Sequence, residues 1–164
     1  VCSGQTTSLN GFRIKNDHIT WRKIFYFEGD SLAFANWFEE NFDVKRMEKD
    51  RIVASSRLSV LPYESVGYKE MSVILIFRKP CIVYFTVDFR PGRYRVTVNN
   101  IIWDTNTSMV SSHIAQGLGT VTLDDFVKKG DFSKAFRSKA SMQLDDMLKY
   151  LFIPKFDESV NERW

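Results

Sequence analysis

The sequence predicts an α+β fold, an antiparallel sheet of about five strands in the order β-α-β4-α, backed by helices on one face. Three observations predict it. Runs of β-branched and aromatic residues alternate in polarity and are broken by Gly and Pro. Two stretches instead repeat their apolar residues every three or four positions. The chain is 164 residues long and 44% apolar, enough for one well-filled core and too short for two.

The elements follow in order. Residues 1–18 read as a polar N-terminal leader, of the kind that follows a removed signal peptide. In "ITWRKIFYFE", Ile19, Trp21, Phe25 and Phe27 fall on one side of a first strand. Asp30 then suits the N-cap of a helix over "SLAFANWFEENF", whose Leu32, Phe34, Ala35, Phe38 and Phe42 make a core-facing stripe. After a charged turn at "KRMEKD", "RIVASSRLSVL" alternates with Ile52, Ala54, Leu58 and Val60 on one face, and Pro62 ends it. "MSVILIF", "CIVYFTVDF" and "RYRVTVNNIIW" are read as three further strands separated by "RKP" and "RPG". Residues 105–121 carry no sustained period and read as a long loop. Thr122 with Asp125 forms a capping-box pattern for a short helix over 123–129 that stops at Gly130. Phe136, Ala140, Leu144, Met147, Leu148 and Leu151 define the last helix, closed by Pro154. The organisation is therefore a single domain over 19–153 and a C-terminal tail over 154–164.

The stretch "VDFRPGRYRVTV" raises the question of a cationic phosphate site. With Pro91 and Gly92 at the turn, Phe89 faces Tyr94, Val87 faces Val96 and Phe85 faces Val98 on one side. On the other side Asp88 faces Arg95, Thr86 faces Thr97 and Tyr84 faces Asn99. A slip by one residue would set apolar against polar at every step, so this register is strongly specified. Arg95 is then an outward cross-strand partner of Asp88, a pair worth about 0.2–1 kcal/mol. Pairing residue 77 with residue 82 would place Leu75, Phe77, Ile82 and Tyr84 outward beside Arg93 and Arg95. Those six residues form the candidate interaction face, because an outward sheet surface this apolar suggests an interface. The alternative is that the leader, the 105–121 loop or the tail covers it.

Catalytic signals are absent from the pattern. His18 and His113 are the only imidazoles, and Ser112 beside His113 is no nucleophile signature. "QGLGT" fails the phosphate-cradle pattern. Asp124-Asp125 and Asp145-Asp146 are neighbours on helices, where adjacent side chains diverge, and read as helix-start charge and solvated face. Cys2 and Cys81 suggest neither a zinc site nor a disulfide framework, so no cofactor or metal is expected. No apolar run approaches the roughly 20 residues of a membrane span.

The strand and helix order, "ANWFEENF" and "VDFRPGRYRVTVNNI" together resemble an uncharacterised domain family of exported Bacteroidetes proteins with a TATA-binding-protein-like fold. The chain keeps the family's Gly92, Arg93, Tyr94 and Arg95 but has Arg90-Pro91 where members carry an acidic or Lys-Asp-Gly turn. The resemblance implies a curved sheet backed by two helices, an exported location in the periplasm or cell envelope, and no catalytic residue to carry over. The function expected is a non-catalytic binding module of the envelope or secreted fraction, contacting another envelope protein or a second copy of itself. Single-stranded nucleic-acid binding by the same face is the alternative; the mixed polarity of that face suits a protein or peptide better. An unrecognised hydrolase using His113 is a third reading.

Overall fold

Pro91 and Gly92, the latter at φ +74°, form the two-residue turn between β7 (Pro80–Arg90) and β8 (Arg93–Asp104) in the computed structural model, which describes residues 7–105 and 120–155. Gly accepts that positive φ without the penalty a Cβ would bring. The expected register holds over five pairs, from Phe85 with Val98 to Phe89 with Tyr94. It then shifts by one, so Tyr84 pairs with Asn100 and Asn99 is the extra residue of a bulge. The shift has a large effect on packing. It moves the inward positions of β8 from Tyr94, Val96 and Val98 to Ile101 and Trp103, all of them buried. The Asn100 side-chain oxygen accepts from Ile101 N–H at 2.9 Å beside the bulge.

Around this hairpin the sheet has nine strands among the described residues, with the main order β1-β2-β3-β8-β7-β5-β4. β3 (His18–Tyr26) and β5 (Arg51–Ser55) flank the hairpin, and every pairing in the sheet is antiparallel. The expected fold class stands, but the sheet is wider than the expected five strands. Residues assigned to a polar leader supply β1 (Thr7–Leu9) and β2 (Phe12–Lys15), with Phe12 and Ile14 buried. The charged segment read as a turn supplies the edge strand β4 (Asp43–Met47). Short strands β6 (Ser59–Val60) and β9 (Thr120–Thr122) pair with β7 and β8.

Helix α1 (Ser31–Asn41) is capped by the Asp30 carboxylate, which accepts from Leu32 N–H at 2.9 Å. It buries Phe34 and Phe38 against Tyr94 and Phe85, while Leu32 faces solvent. A turn of π-helix over Phe136–Ala140 runs into α2 (Ser141–Leu151), which buries Leu144, Met147 and Leu148 on the same face of the sheet. Tyr94 joins the layers, stacking on Phe25 and donating its hydroxyl to the Phe152 carbonyl at 2.7 Å. The capping box on Thr122 and Asp125 forms, yet it opens a 3₁₀ turn over Leu123–Phe126 in place of a helix to 129. The chain then makes a small hairpin, β10 (Val127–Lys128) with β11 (Asp131–Phe132). The expected 105–121 loop lies mostly outside the described residues, as do Cys2, His113 and the tail from 156 onward.

The strand expected at "MSVILIF" does not form. Glu70–Ser72 and Leu75–Arg78 are 3₁₀ turns, and Phe77 is fully buried, stacked on Trp103 at 5.6 Å. An unbroken apolar run has no period by which strand and buried turn can be told apart. "RIVASSRLSVL" is likewise interrupted after Ser55. Ser56 donates its N–H to the Val83 carbonyl and accepts from Val83 N–H through its hydroxyl, both at 2.8 Å, and Leu58 and Val60 end up exposed.

These placements predict opposite outcomes for two neighbours. Phe77→Ala should cost about 3–5 kcal/mol in urea denaturation, the usual loss for a buried ring, whereas Leu75→Ala should stay within about 0.5 kcal/mol. Equal effects would return residues 71–77 to an outward strand.

Candidate interaction surface

Because side chains alternate along each strand, pairing alone assigns the face opposite the helices. Its rows run across the sheet. Tyr26, Arg93 and Arg90 form the row nearest the hairpin tip. Next come Ile24, Arg95, Asp88 and Arg51, and then Arg22, Thr97, Thr86, Val53 and Arg46. Tyr84 with Ser55 and Asn100, and Ile82 with Ile102, complete the far end.

The six residues expected on one surface are thus divided. Arg93, Arg95, Tyr84 and Ile82 do lie on the open face. Phe77 is inside the core, and Leu75, 67% exposed, sits on the 3₁₀ turn outside the sheet. Ile82 lies eight residues along β7 from Arg90, roughly 26 Å at strand rise, so the arginine end and the apolar end are separate patches. What sequence reasoning missed on this face is Arg22, Arg51, Ile24 and Tyr26. Their signal was present in the first strand, where Arg22, Ile24 and Tyr26 alternate with the core residues.

Electrostatics at the arginine end centre on Asp88. Its two oxygens accept from Arg51 Nε at 2.8 Å and Arg95 Nη2 at 3.1 Å. Burial alone would push the Asp88 carboxyl up, but hydrogen bonds from Arg51 and Arg95, and then their charges, outweigh it and hold the pKa below the ordinary value. Arg95 Nε is buried and has no hydrogen-bond partner among the described residues. Beside these groups opens a depression of about 580 Å³, lined by Ile24, Asp50, Arg51, Asp88, Arg90, Arg93 and Arg95 together with Phe89, Pro91 and Tyr94. Four guanidinium groups there face two carboxylates.

The other chemistry-bearing residues serve the fold. Asp145 accepts from Trp21 Nε1 at 2.8 Å and pairs with Lys149 at 2.9 Å, so it is not a solvated-face residue. Asp146 diverges from it, as neighbours on a helix must, and accepts from the Tyr68 hydroxyl at 2.5 Å. Burial, reinforced by that bond, pushes the Tyr68 phenol up to about 12. Asp124 accepts from Ile19 N–H at 2.7 Å and contacts His18 Nδ1 at 2.8 Å, fastening the start of β3. Cys81 is buried, and burial pushes its thiol up to about 12, which suppresses the reactive thiolate. Among the described residues no three His, Cys, Asp or Glu side chains are grouped to hold a metal, and no helix is long and apolar enough to cross a membrane.

Two solved structures are similar to this chain. One is described as a TBP-like protein from Parabacteroides distasonis, 12% identical, covering 84% of this chain and 88% of its own, with a TM-score of 0.45. The other is a DUF4468 family protein from Bacteroides ovatus, 11% identical, covering 93% of each chain, with a TM-score of 0.45. No protein-family model and no curated protein matches the chain.

The depressed Asp88 pKa fixes the sign of a pH effect. Its ion pairs stabilise the fold fully above the unfolded carboxyl pKa of about 4, and that contribution is lost as the pH falls through the lower folded value. Urea denaturation between pH 2 and pH 7 should therefore show Asp88→Asn less stable than the parent at neutral pH, the gap closing on acidification. A gap independent of pH would mean that the carboxylate is not paired.

Proposed function

We propose that the chain is a non-catalytic binding module, and that the arginine end of its open sheet face receives an acidic segment of a partner protein. The observation that carries this reading is the excess of guanidinium over carboxylate around the depression, with Arg90 and Arg93 exposed at its rim and outside any ion pair among the described residues. Guanidinium groups bind carboxylates through paired donors, and an exposed face demands little desolvation from them. Asp88 and Asp50 give the surface a mixed polarity that a peptide can match and a uniform polyanion cannot. The envelope or secreted location expected from the family resemblance is carried with this proposal.

Single-stranded nucleic acid is the second reading. Exposed Tyr26 and Tyr84 on the same face as the arginines favour it, since bases stack on such rings.

The two separate in one titration. A labelled acidic peptide should bind the protein, and Arg90→Glu with Arg93→Glu should weaken it by about tenfold or more, as for two reversed interface charges. A labelled oligothymidylate bound more tightly than the peptide, with affinity falling steeply as salt is added, would replace the first reading by the second. Binding of neither probe would remove both.

A further inference from the structure

Among the described residues, part of one edge of β3 has no pairing strand. β2 accompanies it only as far as Trp21, which pairs with Phe12, whereas β8 follows it from Trp21 to Tyr26. On the β2 side no described strand lies beside residues 23–26. Backbone direction there follows from two bonds. Arg22 N–H donates to the Gly11 carbonyl, toward β2, and Phe27 N–H donates to the Gly92 carbonyl, toward the hairpin tip beside β8. Successive residues point their amide groups to opposite sides, so Ile24 and Tyr26 share the direction of Arg22. Their N–H and C=O groups face outward, with no partner among the described residues.

Sheets usually guard such an edge. The opposite edge strand, β4, carries Lys45 and Arg46 and a bulge between Val44 and Arg46. The β3 edge has neither proline nor bulge; Lys23 is its one charge between residues 23 and 26, and its open-face side chains there are Ile24, 44% exposed, and Tyr26, 78% exposed.

We infer that this edge pairs with the same edge of a second copy, about a two-fold axis at Phe25. Only residues facing outward can exchange bonds, so an even-numbered position must lie opposite an even-numbered one. The place opposite Arg22 is already held by Gly11, which excludes a register setting Tyr26 against Arg22. Centring on Tyr26 would set Ile24 against Glu28. The axis at Phe25, midway along the free stretch, sets Ile24 against Tyr26 in both directions and closes four backbone hydrogen bonds. β3 ends at Tyr26, so the chain beyond it need not enter the place held by Gly11; Glu28 of each copy then comes near Arg22 and Lys23 of the other, opposite in charge, and Ile24 and Tyr26 of both copies gather into one apolar cluster. The interface is isologous, as a two-fold dimer requires.

Sedimentation velocity from about 10 µM to 1 mM should show a reversible monomer–dimer equilibrium, the range expected for a short pairing. Ile24→Pro removes the outward N–H, which the described fold does not use, and should leave a monomer; Ile24→Lys is the check if the proline variant fails to fold. In a Cys2→Ser background, mixing Ile24→Cys with Tyr26→Cys chains should give mainly the mixed disulfide, since paired Cα atoms about 5.5 Å apart fall within bridging range. A protein that is monomeric throughout the range, a dimer unchanged in both Ile24 variants, or homodisulfides of Ile24→Cys alone in excess of the mixed product would each overturn the pairing. Because this interface uses the β3 edge and leaves Arg90 and Arg93 untouched, its failure and the failure of peptide binding are distinguishable.

Discussion

The register of one hairpin governs the rest of the molecule. With Pro91 and Gly92 at the turn, Phe85, Val87 and Phe89 lie on the same side as Tyr94, Val96 and Val98, and that side becomes the floor on which both helices pack. Because strand side chains alternate with period two, the same turn consigns Asp88, Arg90, Arg93 and Arg95 to the reverse. The core and the arginine surface are therefore two results of one constraint. Neither can shift without the other.

How far the sequence reveals this depends on whether a segment keeps one period. The turn, its five pairs, the Asp30 cap and the Phe34–Phe38 stripe are legible because turn chemistry, capping and hydrophobic spacing agree at each of them. Errors fall where the period breaks. At Asn99 the bulge moves the inward set from even to odd numbers, a phase change written in the spacing of Val98, Ile101 and Trp103 but easily read as one continuous strand. At 71–77 there is no period at all, and what decides the outcome is a ring partner distant in sequence, Trp103. The N-terminal strands were hidden by polarity: Arg13 and Lys15 mask the alternation of Phe12 and Ile14.

The helix side is fastened by polar groups as well as by packing. Asp145 on Trp21, Asp146 on Tyr68, Gln143 Nε2 on the Ser72 carbonyl and Tyr94 on the Phe152 carbonyl each join α2 or its end to a different segment. A buried donor left without its acceptor costs more than the bond itself contributes, so these contacts restrict how the layers can slide. They also account for the paired aspartates. Adjacent carboxylates on a helix cannot share one ligand, but they can hold two neighbours in different directions, a use that no spacing rule within the helix reveals.

On the open face the arrangement follows from charge and edge together. Two arginines share Asp88, which pins their guanidinium planes near the sheet, while Arg90 and Arg93 at the tip face solvent without an ion pair among the described residues. The surface is thus held in place at its centre and unsatisfied at its rim, the reverse of a purely structural salt-bridge row, in which each cation would meet an anion. Directly beside it, the outward amide groups of Ile24 and Tyr26 have no partner among the described residues. A sheet whose helices cover one face has only its other face and its edges left to offer a partner, and in this chain the β3 edge adjoins the most cationic part of that face. An extended acidic segment and a second copy of the chain would consequently approach from different directions: one lies across the strands at the tip, the other continues the sheet in plane. The two approaches meet at Ile24, which lines the depression and also lies on the β3 edge.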